Sequence, residues 1–84
     1  GLVEEGINID QVELVGIIWE AEEPIAILAE SKNPTVSYTV KEGDKILNGK
    51  VLKINPNDIL FLIQEFGVSR RYSMALPDKY GSLK

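Results

Sequence analysis

The sequence predicts an all-β domain, a small sandwich or barrel of about six antiparallel strands in two sheets. Three observations carry this. Short apolar runs are punctuated by turn-forming clusters about every 8–12 residues, the spacing of small sandwiches and barrels. Isoleucine and valine make up seventeen of the 84 residues, and β-branched side chains suit a pleated surface. No segment holds a helical apolar period of useful length.

The elements follow in order. Residues 1–12 (GLVEEGINIDQV) show no sustained period and read as a linker or N-terminal arm. Leu2, Val3, Ile7 and Ile9 could cover a core edge. Leu14 to Trp19 is a short apolar run, hence a strand, and Glu20, Glu22 and Glu23 suit the exposed turn after it. Pro24 to Ala29 is a second strand, with proline at the first position, where no ladder bond is needed. Glu30 to Pro34 is a turn by composition. Thr35 to Val40 alternates cleanly, with Val36, Tyr38 and Val40 on one face, the mark of a half-buried strand.

Lys41 to Lys45 is a tight turn that calls for Gly43 at positive φ. Ile46 to Ile54 is a further strand, broken at Asn48-Gly49 by a turn or a bulge. Asn55-Pro56-Asn57-Asp58 is a strong turn. Ile59 to Ile63 is apolar on both faces and reads as a central strand. Glu65-Phe66-Gly67 turns the chain into Val68 to Leu76, where Val68, Arg70, Tyr72, Met74 and Leu76 share a face. Pro77 ends it, and residues 78–84 read as a polar tail. The domain so defined spans 13–77.

Composition narrows the function. The chain has no cysteine and no histidine, which removes disulfides, thiol chemistry, zinc fingers and histidine-based catalysis. Net charge is −4, against a nucleic-acid backbone binder. No run approaches the length of a membrane helix, and the first residues lack the pattern of a signal peptide. Gly1 in place of methionine suggests a processed or excised chain. Charge is divided along the sequence: residues 1–44 carry a net −8 and residues 45–84 a net +4. An acidic surface of this kind can select a basic partner patch.

Candidate chemistry is sparse. Glu20, Glu22 and Glu23 lack the spacing and central glycine of a calcium loop. Asp44 has no histidine or cysteine to work with and reads as a turn residue capping its own backbone. Gly43, Gly49 and Gly67 are too far apart for a phosphate loop. Arg70 and Arg71 point to opposite faces of a strand and make no single nucleic-acid patch. Trp19 reads as core, or, if exposed, as an interface anchor. No catalytic, cofactor or metal residues are expected; the domain reads as a binding module and not an enzyme.

One ordered set of residues carries a resemblance. It runs Gly16-Ile17-Ile18, Pro24-Ile25-Ala26-Ile27, Tyr38-x-Val40-x-x-Gly43-Asp44-x-Ile46, Gly49-x-Val51-x-x-Ile54 and Asp58-Ile59-x-Phe61. From Leu14 to Leu76 the chain resembles the periplasmic homology-region domain of the general secretion pathway protein C family of type II secretion. It is also similar to that domain's type IV pilus counterpart, the lipoprotein PilP. Where that family's first strand often continues into small residues, this chain has Trp19-Glu20-Ala21-Glu22.

The resemblance implies a sandwich of two antiparallel sheets. It implies a non-catalytic periplasmic adaptor, held at the inner membrane by a segment outside this sequence. The adaptor would link the inner-membrane assembly platform proteins to the N-terminal periplasmic domain of an outer-membrane secretin. An early edge strand meets the secretin in such families. By position this assigns Leu14, Val15, Gly16, Ile17, Ile18 and Trp19 to the contact, with Glu20, Glu22 and Glu23 at its rim. The alternative is a small β interaction module of an unrelated assembly.

Overall fold

The computed structural model describes residues 6–19 and 22–77. Seven strands order the chain: β1 (Val12–Ile18), β2 (Ile25–Glu30), β3 (Ser37–Lys41), β4 (Lys45–Ile46), β5 (Gly49–Ile54), β6 (Asp58–Glu65) and β7 (Val68–Ala75). They form a three-stranded sheet, β1-β2-β3, and a four-stranded sheet, β4-β5-β6-β7. Every pairing is antiparallel. Among the described residues there is no α-helix, only one 3-10 turn at Ile9–Gln11. The class is the all-β sandwich that the spacing of turns predicts.

The seventh strand comes from the break at Asn48-Gly49. Ile46 pairs with Gly49, so Leu47 and Asn48 form a two-residue connection. Asn48 takes φ 68, a left-handed conformation that asparagine tolerates better than most residues. Gly43 also turns at positive φ, at 93. The Asp44 carboxylate accepts the Lys41 N–H at 2.9 Å, the local capping that the turn reading requires.

The core lies between the sheets. Leu14, Leu28, Val40, Val51, Ile54, Ile59 and Phe61 are its most deeply buried large side chains. Ile7 and Ile9, from the stretch expected as an arm, are buried with them. That stretch is tied down by backbone bonds: Leu47 N–H donates to Ile7 O and Ser31 N–H to Gln11 O, each at 2.9 Å. The tail expected at 78–84 lies outside the described residues.

The two sheets are joined along one side. Gly43 N–H donates to Val51 O and Val51 N–H to Asp44 O, both at 2.8 Å. The Glu42 carboxylate accepts the Ile54 N–H at 2.9 Å. On the other side β1 and β7 are the outer strands. They approach each other, but among the described residues no backbone hydrogen bond links them.

β6 is interior, with β5 and β7 on its flanks, as its apolar run suggests. Only one of its faces is in the core, however. Ile59, Phe61 and Ile63 are buried, while Leu60 and Leu62 are half-buried on the outer face. β7 shows the expected alternation, yet every side chain in it except Met74 is exposed.

Candidate functional site

The segment assigned by resemblance to partner binding is β1 and the loop after it. β1 is an edge strand: β2 pairs with one side of it and no described strand with the other. In an antiparallel ladder alternate residues point their N–H and C=O groups away from the paired neighbour. An edge is therefore a template for another strand.

A bulge sets what β1 presents. Leu14 pairs with Leu28, but the next pair is Gly16 with Ile27. Val15 is thus the extra residue, and the bulge changes the side-chain parity of everything after it. Leu14 points inward and is 1% exposed. Ile17 pairs with the fully buried Ala26 and packs against the core. Gly16 and Ile18 point outward, opposite Ile27 and Ile25.

Each assigned residue except Glu20 therefore has a definite place. Val15, Ile18 and Trp19 are exposed, at 41%, 48% and 43%. Trp19 is not the core residue that its size suggests; β1 has already ended at Ile18, beyond the edge of the packed layer. Leu14 can offer a partner only its backbone, and Ile17 only the half-exposed part of a side chain packed against the core. Glu22 and Glu23 are exposed in the following turn. Glu20 lies outside the described residues.

Two residues that the sequence reading left out belong to the same surface. Ile25 and Ile27 are half-buried on the outer face of β2, across from Ile18 and Gly16. Gly16 has no side chain to cover Ile27, whose Cδ1 lies 3.4 Å from where a Cβ on residue 16 would sit. The signal was the Ile-x-Ile alternation facing a glycine. The bulge concealed it, since its position cannot be read from a run that is apolar throughout.

The acidic rim is structurally engaged. Glu22, Glu23, Glu42 and Asp44 line an open depression with Pro24, Lys41 and Gly43. Glu23 lies 3.7 Å from the Lys41 ammonium, with both side chains exposed, so that pair contributes little stability. Glu42 and Asp44 accept the backbone bonds described above. Among the described residues no group of three or more carboxylates is arranged to hold a metal ion.

A hydrogen-bonded pair lies toward the far end of β2 from that turn. The Tyr38 hydroxyl donates to the Glu30 carboxylate at 2.6 Å. That hydrogen bond holds the Tyr38 pKa above the ordinary phenol value, with desolvation and the carboxylate's charge acting in the same direction. The folded state therefore binds the phenolic proton more tightly than the unfolded chain. This contribution is complete below about pH 10, the unfolded phenol pKa, and is lost as pH rises through the raised folded value. The stability of the wild type in urea is expected to fall above about pH 10 more steeply than that of Tyr38→Phe. Parallel pH dependences in the two proteins would show that the pair adds nothing.

Comparison of the chain with protein-family models, with curated proteins and with solved structures finds no match.

Proposed function

We propose that this domain is a non-catalytic adaptor that binds a partner protein through the free edge of β1. On this reading it is a periplasmic domain of an inner-membrane-anchored protein. It couples the inner-membrane platform of a type II secretion or type IV pilus machine to the N-terminal domain of an outer-membrane secretin. The observation that carries it is the pairing of an open β1 edge with an exposed apolar surface, Val15, Ile18 and Trp19 beside Ile25 and Ile27. The ordered residues from Gly16 to Phe61 supply the choice of partner. The acidic turn at Glu22 and Glu23 gives the rim a charge that favours a basic patch opposite.

A patch of this size is expected to bind weakly, since interfaces below about 1,200 Å² are usually transient. A ring of secretin subunits would raise the apparent affinity through avidity.

The test is an NMR titration of the isotope-labelled domain with the N-terminal periplasmic domain of the secretin encoded beside its gene. Amide shifts are expected on residues 14–27. Ile18→Asp is the informative variant, because Ile18 is exposed where Ile17 is packed against the core. It is expected to weaken binding about tenfold or more, as loss of a central apolar contact does, with the spectrum of a folded domain retained. An unchanged dissociation constant in the folded variant removes β1 from the interface. Absence of any shift with the secretin domain rejects the adaptor reading.

A further inference from the structure

We propose that β7 is a second, independent docking edge, which takes an extended, carboxylate-bearing segment of another protein as an added strand. The argument begins with the edge itself. β7 pairs with β6 over eight consecutive residues with no bulge. Among the described residues its backbone bonds to no other strand. Long, flat, open edges are normally blunted by proline, bulges, short length or charged side chains. Of the other edge strands, β1 has its bulge at Val15, β3 is five residues long and β4 two. β7 has no bulge and no proline and is eight residues long; its guards are the charges of Arg70 and Arg71, with no acidic residue beside them in the strand, so they repel a basic strand and admit an acidic one.

Its side chains then select the occupant by charge. Arg70 and Arg71 are consecutive and so stand on opposite faces of the sheet. Arg71 lies in a cross-strand row with Leu62, Lys50 and Lys45. Arg70 shares the other face with Val68 and Tyr72, which are 62% and 37% exposed although that face looks toward the opposite sheet. The acidic neighbour of Arg70 is Glu65, at 3.7 Å with both side chains substantially exposed, a pair too weak to neutralise the edge. A strand added to β7 thus meets a cation on whichever face its side chains occupy, with Val68 and Tyr72 as apolar contacts.

Like charges across a ladder destabilise it and opposite charges support it. A basic strand is therefore disfavoured, and so is the β7 of a second copy, which would gather four arginines in one short ladder. An acidic, β-branched segment satisfies both faces. The proposal does not depend on what binds β1.

The test uses the isotope-labelled domain and two short synthetic peptides, one alternating valine with glutamate and one alternating valine with lysine. The glutamate peptide is expected to shift amides of residues 68–75. Its dissociation constant should rise about threefold or more when salt is increased through the physiological range, as exposed charges are screened. The lysine peptide should leave those amides unmoved. Arg70→Glu/Arg71→Glu, two exposed positions, should reverse the preference while keeping the folded spectrum. Equal binding of both peptides, shifts confined to other strands, or no shift at several millimolar peptide would overturn the proposal. So would concentration-dependent broadening of residues 68–75 without peptide, which would assign the edge to a second copy.

Discussion

Replacing Gly49 by alanine is expected to cost this domain about 3 kcal/mol, at the upper end of ordinary overpacking. Gly49 stands in β5, paired with Ile63 of β6. A Cβ there would collide with the backbone carbonyl oxygen of Leu62, and would lie 2.9 Å from its carbonyl carbon and 3.1 Å from the Ile63 Cα. These are main-chain atoms in the middle of a sheet, so no side-chain rotation relieves the contact. The neighbouring bond from Gln64 N–H to Asn48 O, at 2.6 Å, holds the two strands close. For a domain of this size such a loss lowers the melting temperature by roughly 12–24 °C. Thermal unfolding followed by circular dichroism checks it. A gain in stability, the usual effect of removing glycine from a strand, would show that the strands do not approach so closely.

Phe61→Ala is expected to be at least as damaging, at about 3–5 kcal/mol. Phe61 sits on the interior strand of the larger sheet and is fully buried. It is the largest of the completely buried side chains. Total stabilities of single domains run from about 5 to 15 kcal/mol, so the variant should be partly unfolded at body temperature. Phe61→Leu keeps most of the volume and is expected to cost about 1 kcal/mol. Urea midpoints of the two variants separate cavity formation from mere change of side chain. Equal losses would place Phe61 at a site that cannot relax around either residue.

How far the sequence reveals this architecture depends on how each strand encodes its inner face. The segment around Tyr38 and Val40 alternates, and its buried face was legible without a structure. Positions 14–19 are apolar throughout, and a bulge at Val15 puts Leu14 and Ile17 on the same side despite their odd spacing. No period-two reading can find that arrangement. The break at Asn48-Gly49 was visible, but local chemistry does not distinguish a bulge from a turn; the pairing of Ile46 with Gly49 decides it. In β7 the alternation was plain and the exposure was not, because the depth of a face depends on what the opposite sheet covers. Trp19 had two readings for a related reason: size argues for burial, but burial requires a neighbour, and past the end of β1 the exposed one holds. The candidate contact surface was legible as a segment and not as a set of side chains. Its outer isoleucines, Ile25 and Ile27, belong to the adjacent strand and join it only through the register.

The bonds from Gly43, Asp44 and Glu42 to β5 give the sandwich a spine along one side, while among the described residues no backbone bond joins β1 to β7 on the other. Cooperative units open first where few hydrogen bonds and little apolar contact hold them. Hydrogen exchange is therefore expected to be slowest at the bonded amides of residues 43–54, the binding of the book, and fastest along its fore-edge at β1 and β7.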